Sequence, residues 1–212
     1  MYSILEHYLS TNHILMIGMI VTFILTFFLL EHPFSFLPSD QGRAFAVNGS
    51  LSKGKLRGVG FIFVLCFLIS SVLFLPLDVE YVIYGILLFA MMISGYLDDA
   101  SKTPWNEYKK GLIDLVISVV AVLTYMNFNS TTICFGADEI VIPKALFLIL
   151  GVILIWVSVN VTNCTDGVDG LCASLCSVTL LAFGVLFASV LQKYAMANFL
   201  FLSVLFAYLY FN

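Results

Sequence analysis

Acidic side chains form two clusters in this chain, and each cluster follows a long apolar run. Asp98 and Asp99 are adjacent in GYLDDASK, and Asp166 and Asp169 lie close together in NVTNCTDGVDGL. Carboxylate oxygens are the ligands that Mg²⁺ prefers, and nearby lysines can neutralise phosphate charge. Two such clusters on one membrane surface indicate a site for a divalent metal and a phosphorylated substrate, and hence an enzyme.

The second cluster belongs to a polar pattern that repeats every three residues. Asn160, Asn163, Asp166 and Asp169 could form one ridge that faces a cytoplasmic cavity. Amides recognise a base or sugar through paired donors and acceptors, and carboxylates accept ribose hydroxyls or approach a metal. The alternative is a tight turn with Asx hydrogen bonds, in which Asp169 caps the next helix. We favour binding because a turn does not require four polar residues in register.

Asp98 and Asp99 directly follow the third apolar run. Successive helical residues point about 100° apart, so the two carboxylates cannot hold one ion symmetrically. We expect one to approach the metal while the other orients water, a base or the acceptor phosphate. Lys102, four residues beyond Asp98, could bond that carboxylate or reach a phosphate. The alternative is a solvated acidic helix end with Lys102 as a surface partner.

Basic residues also precede the fourth apolar run. Lys109 and Lys110 are most simply interfacial anchors that attract anionic lipid. Asp114 lies inside the run, where an acid is by default functional. Because Asp114 is four residues from Lys110, the sequence favours a structural ion pair between them.

The elements that carry these residues are predicted to be membrane helices. The chain of 212 residues is 61% hydrophobic and 10% charged, whereas soluble domains average about 25% charged. Continuous apolar runs of about 17–25 residues cross a bilayer as helices, whereas barrel strands alternate polar and apolar positions. The predicted fold is all-α, a polytopic membrane protein with a single domain over residues 1–212. The seven predicted spans are 14–30, 59–77, 81–97, 112–126, 145–161, 171–191 and 196–211.

The basic residues predict the orientation, because loops rich in lysine and arginine stay cytoplasmic. If the N-terminus is outside, seven of the nine basic residues lie in the cytoplasm, with Lys144 and Lys193 on the other side. The cytoplasmic set is then Arg43, Lys53, Lys55, Arg57, Lys102, Lys109 and Lys110. This orientation places both acidic clusters at the cytoplasmic face.

At these residues the chain resembles the polyprenyl-phosphate N-acetylhexosamine-1-phosphate transferases, and within them the branch that transfers phospho-N-acetylmuramoyl-pentapeptide. GYLDDASK matches the family's first aspartate motif, YKKGL at 108–112 its NKGL-like element, and residues 160–171 its NxxNxTDGxDGL motif. In the first basic loop Ser52 and Lys53 match the family's SKRGTPTMGG, while its threonines are replaced in SKGKLRGVGF. The family has about ten transmembrane helices and continues into an MGDxGS motif and a histidine-rich loop. We therefore expect this sequence to be roughly the first two thirds of such a protein.

The resemblance implies Mg²⁺-dependent transfer of phospho-MurNAc-pentapeptide from its UDP conjugate to undecaprenyl phosphate, giving lipid I and UMP for peptidoglycan synthesis. It implies that Asp98 and Asp99 are catalytic and bind Mg²⁺, with a third carboxylate outside this sequence. The residues implied to bind substrate are Lys53, Lys102, Lys110, Asn160, Asn163, Asp166 and Asp169. The implied location is the bacterial cytoplasmic membrane, and the implied partners are a UDP-sugar and a polyprenyl phosphate, with a homodimer allowed and no nucleic acid.

Two other functions are compatible with parts of the pattern. Transfer of N-acetylglucosamine-1-phosphate to a polyprenyl phosphate uses the same metal chemistry. A transporter also contains membrane acids and interrupted helices, but its site lies near the middle of the bilayer. The acidic clusters of this chain fall at one predicted surface, so an enzyme is favoured.

Overall fold

A computed structural model of the chain describes residues 1–32, 34–39, 54, 57–101, 103, 105–135, 138–165 and 169–211. Three of the predicted substrate-binding residues, Lys53, Lys102 and Asp166, lie outside the described residues. The substrate-binding roles of these three residues therefore stay predictions.

The described parts of the chain are helical apart from loops and one short hairpin. Each of the seven predicted apolar runs contains one helix, and a short helix precedes them. The helices are α1 (Tyr2–Leu5), α2 (Thr11–Glu31), α3 (Gly60–Phe74), α4 (Val79–Ala100), α5 (Glu107–Phe128), α6 (Lys144–Thr165), α7 (Leu171–Phe187) and α8 (Gln192–Leu209). The hairpin consists of β1 (Thr132–Phe135) and β2 (Asp138–Val141).

The helices have the length and surface of membrane-spanning elements. By length and composition α2, α4, α5 and α6 can each cross a bilayer, while α3 and α7 are apolar but shorter. Large apolar side chains point outward, such as Leu154 and Val178, which are 68% and 67% exposed. Such a surface suits hydrocarbon, because soluble proteins rarely expose large contiguous apolar patches. The prediction of a polytopic, all-helical membrane protein is confirmed, and the number of crossings stays a prediction.

The hairpin between α5 and α6 has no clear signal in the sequence. Its strands pair antiparallel with Ile133 opposite Ile140, and Thr131 Oγ1 donates to the carbonyl of Ile142 at 2.8 Å just beyond the strands. Strands of four residues offer too few positions for a clear alternating pattern. The hairpin leads the chain directly from the end of one helix to the start of the next.

Close packing of α2 against α3 and α8 builds the described core. A Cβ on Gly18 would lie 3.1 Å from both Leu200 Cδ2 and Phe74 Cγ. Thr22 and Thr26, at intervals of four residues from Gly18, are fully buried on the same face of α2. Small residues let helix backbones approach closely where lipid provides no hydrophobic drive for association. This face of α2 therefore sets the spacing of the three helices.

Polar contacts tie α4, α5 and α8 together at the end opposite the acidic clusters. Lys193 donates to Asp78, and the Glu80 carboxylate accepts from Asn129 Nδ2 at 2.6 Å and Tyr84 Oη at 2.9 Å. Burial raises the pKa of the Asp78 carboxyl, but the hydrogen bond and charge of Lys193, with backbone donors, hold it below its usual range. These contacts fix the predicted outer end of α4, whose other end carries the first aspartate pair.

Candidate functional site

Asp98 lies on the last turn of α4, and both of its carboxylate oxygens have partners. Oδ2 accepts from Lys110 Nζ at 3.2 Å, and Oδ1 accepts from the backbone N–H of Trp105 at 3.0 Å. The side chains of Lys110 and Asp98 are 31% and 21% exposed. Trp105 lies in the connection between α4 and α5, and Lys110 lies on the first turn of α5. The turn between the two helices therefore places an ammonium group on the first aspartate.

Further contacts close the α4–α5 connection beside this carboxylate. Ser101 Oγ is 2.8 Å from the carbonyl oxygens of both Asp98 and Thr103. Lys109 Nζ lies 3.5 Å from the centroid of the Trp105 ring, a cation–π contact. The two neighbouring lysines thus have different roles, because Lys109 holds the tryptophan while Lys110 reaches Asp98.

Asp99 faces the described end of the first long loop. The backbone N–H of Gly58 donates to its carboxylate, and the positive charges of Arg57 and Lys110 act on it, opposed by the charge of Asp98. The carboxylate is half-buried. The first basic loop and the start of α5 therefore both supply positive charge to the aspartate pair.

The loop end is held against α4 by aromatic and backbone contacts. Tyr96 Oη donates to the carbonyl of Phe36 at 2.9 Å, and the backbone N–H of Arg57 donates to the carbonyl of Pro38 at 2.7 Å. Gly58 has a φ of 68°, and a Cβ there would lie 3.2 Å from Tyr96 Cδ2. Glycine adopts this left-handed backbone without a steric penalty. The position of Gly58 beside Asp99 thus depends on its lack of a side chain.

Lys110 pairs with Asp98 and not with Asp114, the partner that sequence spacing favoured. Asp114 is 4% exposed and lies one turn further into α5. Its backbone carbonyl accepts from Ser118 Oγ at 2.7 Å. The local spacing of four residues was overridden because the α4–α5 turn brings a second carboxylate within reach of Lys110.

The second polar pattern lies at the end of α6 and the start of α7. Asn160 is half-buried, and its Nδ2 donates back to the Trp156 carbonyl at 2.8 Å, whereas Asn163 is exposed. Asp169 is exposed in the turn before α7, and the residue at the N-cap of α7 is Gly170 with a φ of 75°. Asp169 therefore lies one residue before the N-cap position of α7. Asn160 and Asn163 share the last turns of one helix, as the spacing predicted.

Trp156 connects this region to the first aspartate. Its Nε1–H donates to the carbonyl of Gly111 at 2.8 Å, and the ring packs against the same glycine. Gly111 follows Lys110 directly on α5. Each helical residue advances about 1.5 Å along the axis, so Asn160 and Asn163 extend one and two turns beyond this contact. The contact places the end of α6 at the same end of the bundle as the Asp98–Lys110 pair.

The aspartate pair has the donor chemistry of a partial Mg²⁺ site. Mg²⁺ is usually held by one or two carboxylates together with water and substrate phosphates. Within the described ranges, no three histidine, cysteine, aspartate or glutamate side chains are grouped as metal ligands. Asp98 and Asp99 therefore fit Mg²⁺ as two oxygen donors of a set that other ligands complete.

The roles of both tryptophans and of Arg57 were not predicted from the sequence. Trp105 and Trp156 are the two tryptophans of the chain, and each lies near a motif. Tryptophan N–H groups usually find an acceptor when buried, which could have suggested an interhelical role for Trp156. Arg57 was counted only toward membrane orientation.

Comparison with known proteins agrees with the resemblance of the motifs. The sequence pattern of the family described as Glycosyl transferase family 4 matches residues 81–212. A protein named phospho-N-acetylmuramoyl-pentapeptide-transferase from Treponema pallidum (strain Nichols) is 34% identical over 189 residues, which are 87% of this chain and 52% of that protein. The protein of the same name from Gloeothece citriformis (strain PCC 7424) is 28% identical over 120 residues, 52% of this chain and 33% of that protein.

The matched part is shorter than the motifs suggested. The chain spans about half the length of the Treponema relatives it matches, whereas the motif order suggested two thirds. The similarity includes both acidic clusters, since both lie within residues 81–212.

Proposed function

Because this chain belongs to glycosyl transferase family 4, we propose that it carries the catalytic aspartates of a membrane enzyme that transfers a sugar phosphate to a polyprenyl phosphate. The proposed reaction is transfer of phospho-MurNAc-pentapeptide from UDP to undecaprenyl phosphate, giving lipid I and UMP. The observation that supports it is the aspartate pair at one helix end, where Lys110 is bonded to Asp98 and the charges of Arg57 and Lys110 act on Asp99.

In the proposed reaction an oxygen of the lipid phosphate attacks the β-phosphorus of the UDP-sugar, and the bond to UMP breaks. Asp98 accepts a proton from the lipid phosphate or positions it, and Asp99 is its partner on the metal side. Bound Mg²⁺ supplies electrostatic stabilisation of the charge that develops on the diphosphate. The two aspartates would hold that ion together with further ligands that complete its coordination.

Positive side chains hold the phosphates in this proposal. The Lys110 ammonium has three donors, so it can contact a carboxylate and a phosphate oxygen together. Arg57 lies on the Asp99 side and adds a second cation there. Lys53 and Lys102, outside the described residues, are predicted to complete the phosphate contacts.

The end of α6 is proposed to bind the nucleotide. Asn163 is exposed and free to turn its amide toward a base or ribose. Asn160, Asp166 and Asp169 are predicted to line the same region. The proposed location is the bacterial cytoplasmic membrane with the site on its cytoplasmic face, and a homodimer stays a prediction.

The test is transfer by the full-length protein, purified and supplied with UDP-MurNAc-pentapeptide, undecaprenyl phosphate and Mg²⁺. We expect lipid I and UMP in equal amounts, and a loss of about hundredfold or more in Asp98→Asn, because positioned acid–base groups contribute about 10²–10⁴-fold. Asp138→Asn, an exposed acid of the hairpin, is the matched control and keeps full activity.

Two outcomes would contradict this proposal. If Asp98→Asn turned over substrate at the wild-type rate, Asp98 would not be a catalytic residue. Lipid product from UDP-N-acetylglucosamine alone would replace the muramoyl-pentapeptide substrate with the smaller sugar.

A further inference from the structure

Asp114 is a buried acid that the proposed reaction does not use. It is 4% exposed and lies on α5 one turn deeper than Lys110. An ionised carboxylate inside a membrane protein is costly unless a cation or hydrogen-bond donors compensate it. Such a residue therefore requires a partner or a function.

Among the described residues, Lys110 is a cation whose charge acts on Asp114. The two residues are four positions apart on one helix, a spacing at which side chains can meet. In the structure the ammonium group is instead bonded to Asp98 Oδ2 at 3.2 Å. Lys110 is therefore bonded to the carboxylate nearer the membrane surface, while its charge also acts on the deeper one.

The proposed metal site creates a conflict at Asp98. An ammonium group on Oδ2 and a backbone N–H on Oδ1 each use one acceptor site of this carboxylate, so a metal ion there would lie close to the ammonium group. A divalent ion and an ammonium group on one carboxylate repel each other, so metal binding favours departure of Lys110. Lysine has a flexible four-carbon stem and can turn without movement of the helix.

We propose that Asp114 is a positioning residue that takes the Lys110 ammonium from Asp98 when Asp98 binds the metal ion. This inference rests on the proposed function. Without the metal ion the two carboxylates share one cation, Lys110, which is bonded to Asp98. After the exchange each has its own, because the metal ion is on Asp98 and Lys110 is on Asp114.

The test is Mn²⁺ binding to the full-length protein without substrate. The electron paramagnetic resonance signal of free Mn²⁺ decreases as the ion binds, so this signal measures the affinity. In Asp114→Asn, Lys110 keeps its place on Asp98 and competes with the metal. We expect binding to weaken about threefold to tenfold, the scale of coupling between neighbouring charged residues. Asp114→Glu is expected to restore wild-type Mn²⁺ binding. The control is Glu80→Gln, which replaces a buried acid at the opposite end of α4 and leaves Mn²⁺ binding unchanged.

A second variant separates an effect through Lys110 from a direct effect of charge. Lys110→Gln removes the competing ammonium and is expected to bind Mn²⁺ more tightly than wild type. In that background Asp114→Asn has no further effect. Weaker binding by Lys110→Gln, or an undiminished effect of Asp114→Asn in its presence, would overturn the exchange.

The same titration distinguishes the two proposals. If wild type binds Mn²⁺, Asp98→Asn abolishes binding and Asp114→Asn matches wild type, the exchange is wrong and the metal site stands. If Asp98→Asn binds as wild type does, the metal assignment fails and the exchange fails with it.

Discussion

At the scale of single residues, the site depends on which partner each polar side chain has. Asp98 is bonded to Lys110 and to a backbone N–H, so its carboxylate is oriented before any ligand binds. Trp156 has the corresponding role for α6, because its indole donates to a carbonyl on α5. Orientation of the two helix ends thus rests on a few long-range hydrogen bonds.

Replacement of Trp156 by phenylalanine tests that hydrogen bond. The Nε1–H donor to Gly111 is lost while an aromatic ring remains, so we expect a loss of about 1 kcal/mol in stability, typical of one hydrogen bond. Thermal unfolding of the purified protein measures it. Ser158→Ala, which removes only a bond back to its own helix, changes the unfolding temperature less. Equal effects of the two variants would contradict an interhelical role for Trp156.

At the scale of elements, close helix contacts depend on positions without side chains. Gly18 on α2 meets Phe74 of α3 and Leu200 of α8, and both partners are almost fully buried. The side chains of Phe74 and Leu200 have little room to move. The absence of a side chain at Gly18 therefore determines how closely the three helices pack. Lipid-facing positions of the same helices tolerate large side chains.

Gly18→Ala should therefore destabilise the protein. The new Cβ would lie 3.1 Å from both neighbours, and overpacking of this kind costs about 1–3 kcal/mol. Gly95→Ala is the matched control, because a Cβ there meets nothing within 4 Å and alanine favours a helix by about 1 kcal/mol. We expect opposite shifts of the unfolding temperature. If Gly18→Ala stabilised the protein, the neighbouring side chains would have to move aside at little cost, which would contradict this prediction.

At the scale of the whole molecule, the helices alternate in direction and gather the polar groups at two ends. The Glu80 and Asp78 contacts lie at one end of α4, and Asp98 and Asp99 at the other. The hairpin lies at the same end as Asp78 and Glu80, because it follows α5, and α5 starts at the end that carries Asp98 and Asp99. The orientation predicted from basic residues places the hairpin outside and the aspartates inside.

Native cysteines provide a test of this orientation. Cys134 in the hairpin and Cys164 near the end of α6 are exposed, whereas Cys66 is buried. Variants that retain Cys66 and one of the exposed cysteines are treated with a membrane-impermeant maleimide on intact cells. We expect Cys134 to react at once, Cys164 only after permeabilisation, and Cys66 in neither case. The reverse order for the exposed pair would invert the topology and place the aspartates outside.

The sequence by itself determined the membrane class, the helices and the motifs. An apolar run in hydrocarbon must satisfy its own backbone hydrogen bonds, so composition and length alone predict helices, as they did for α2 to α8. Asp98 and Asp99 could be proposed from residue type and neighbours. Their catalytic roles, like those of the second cluster, stay predictions.

Only the tertiary structure decided which groups are in contact. Lys110 pairs with Asp98, twelve residues away, where sequence spacing favoured Asp114. Trp156 reaches a carbonyl 45 residues away, and Gly58, at the end of the first loop, meets Asp99 at the far end of α4. Local spacing describes neighbours on one helix, whereas these contacts depend on turn geometry and on the packing of different helices. A sequence pattern of period three or four carries no information about either.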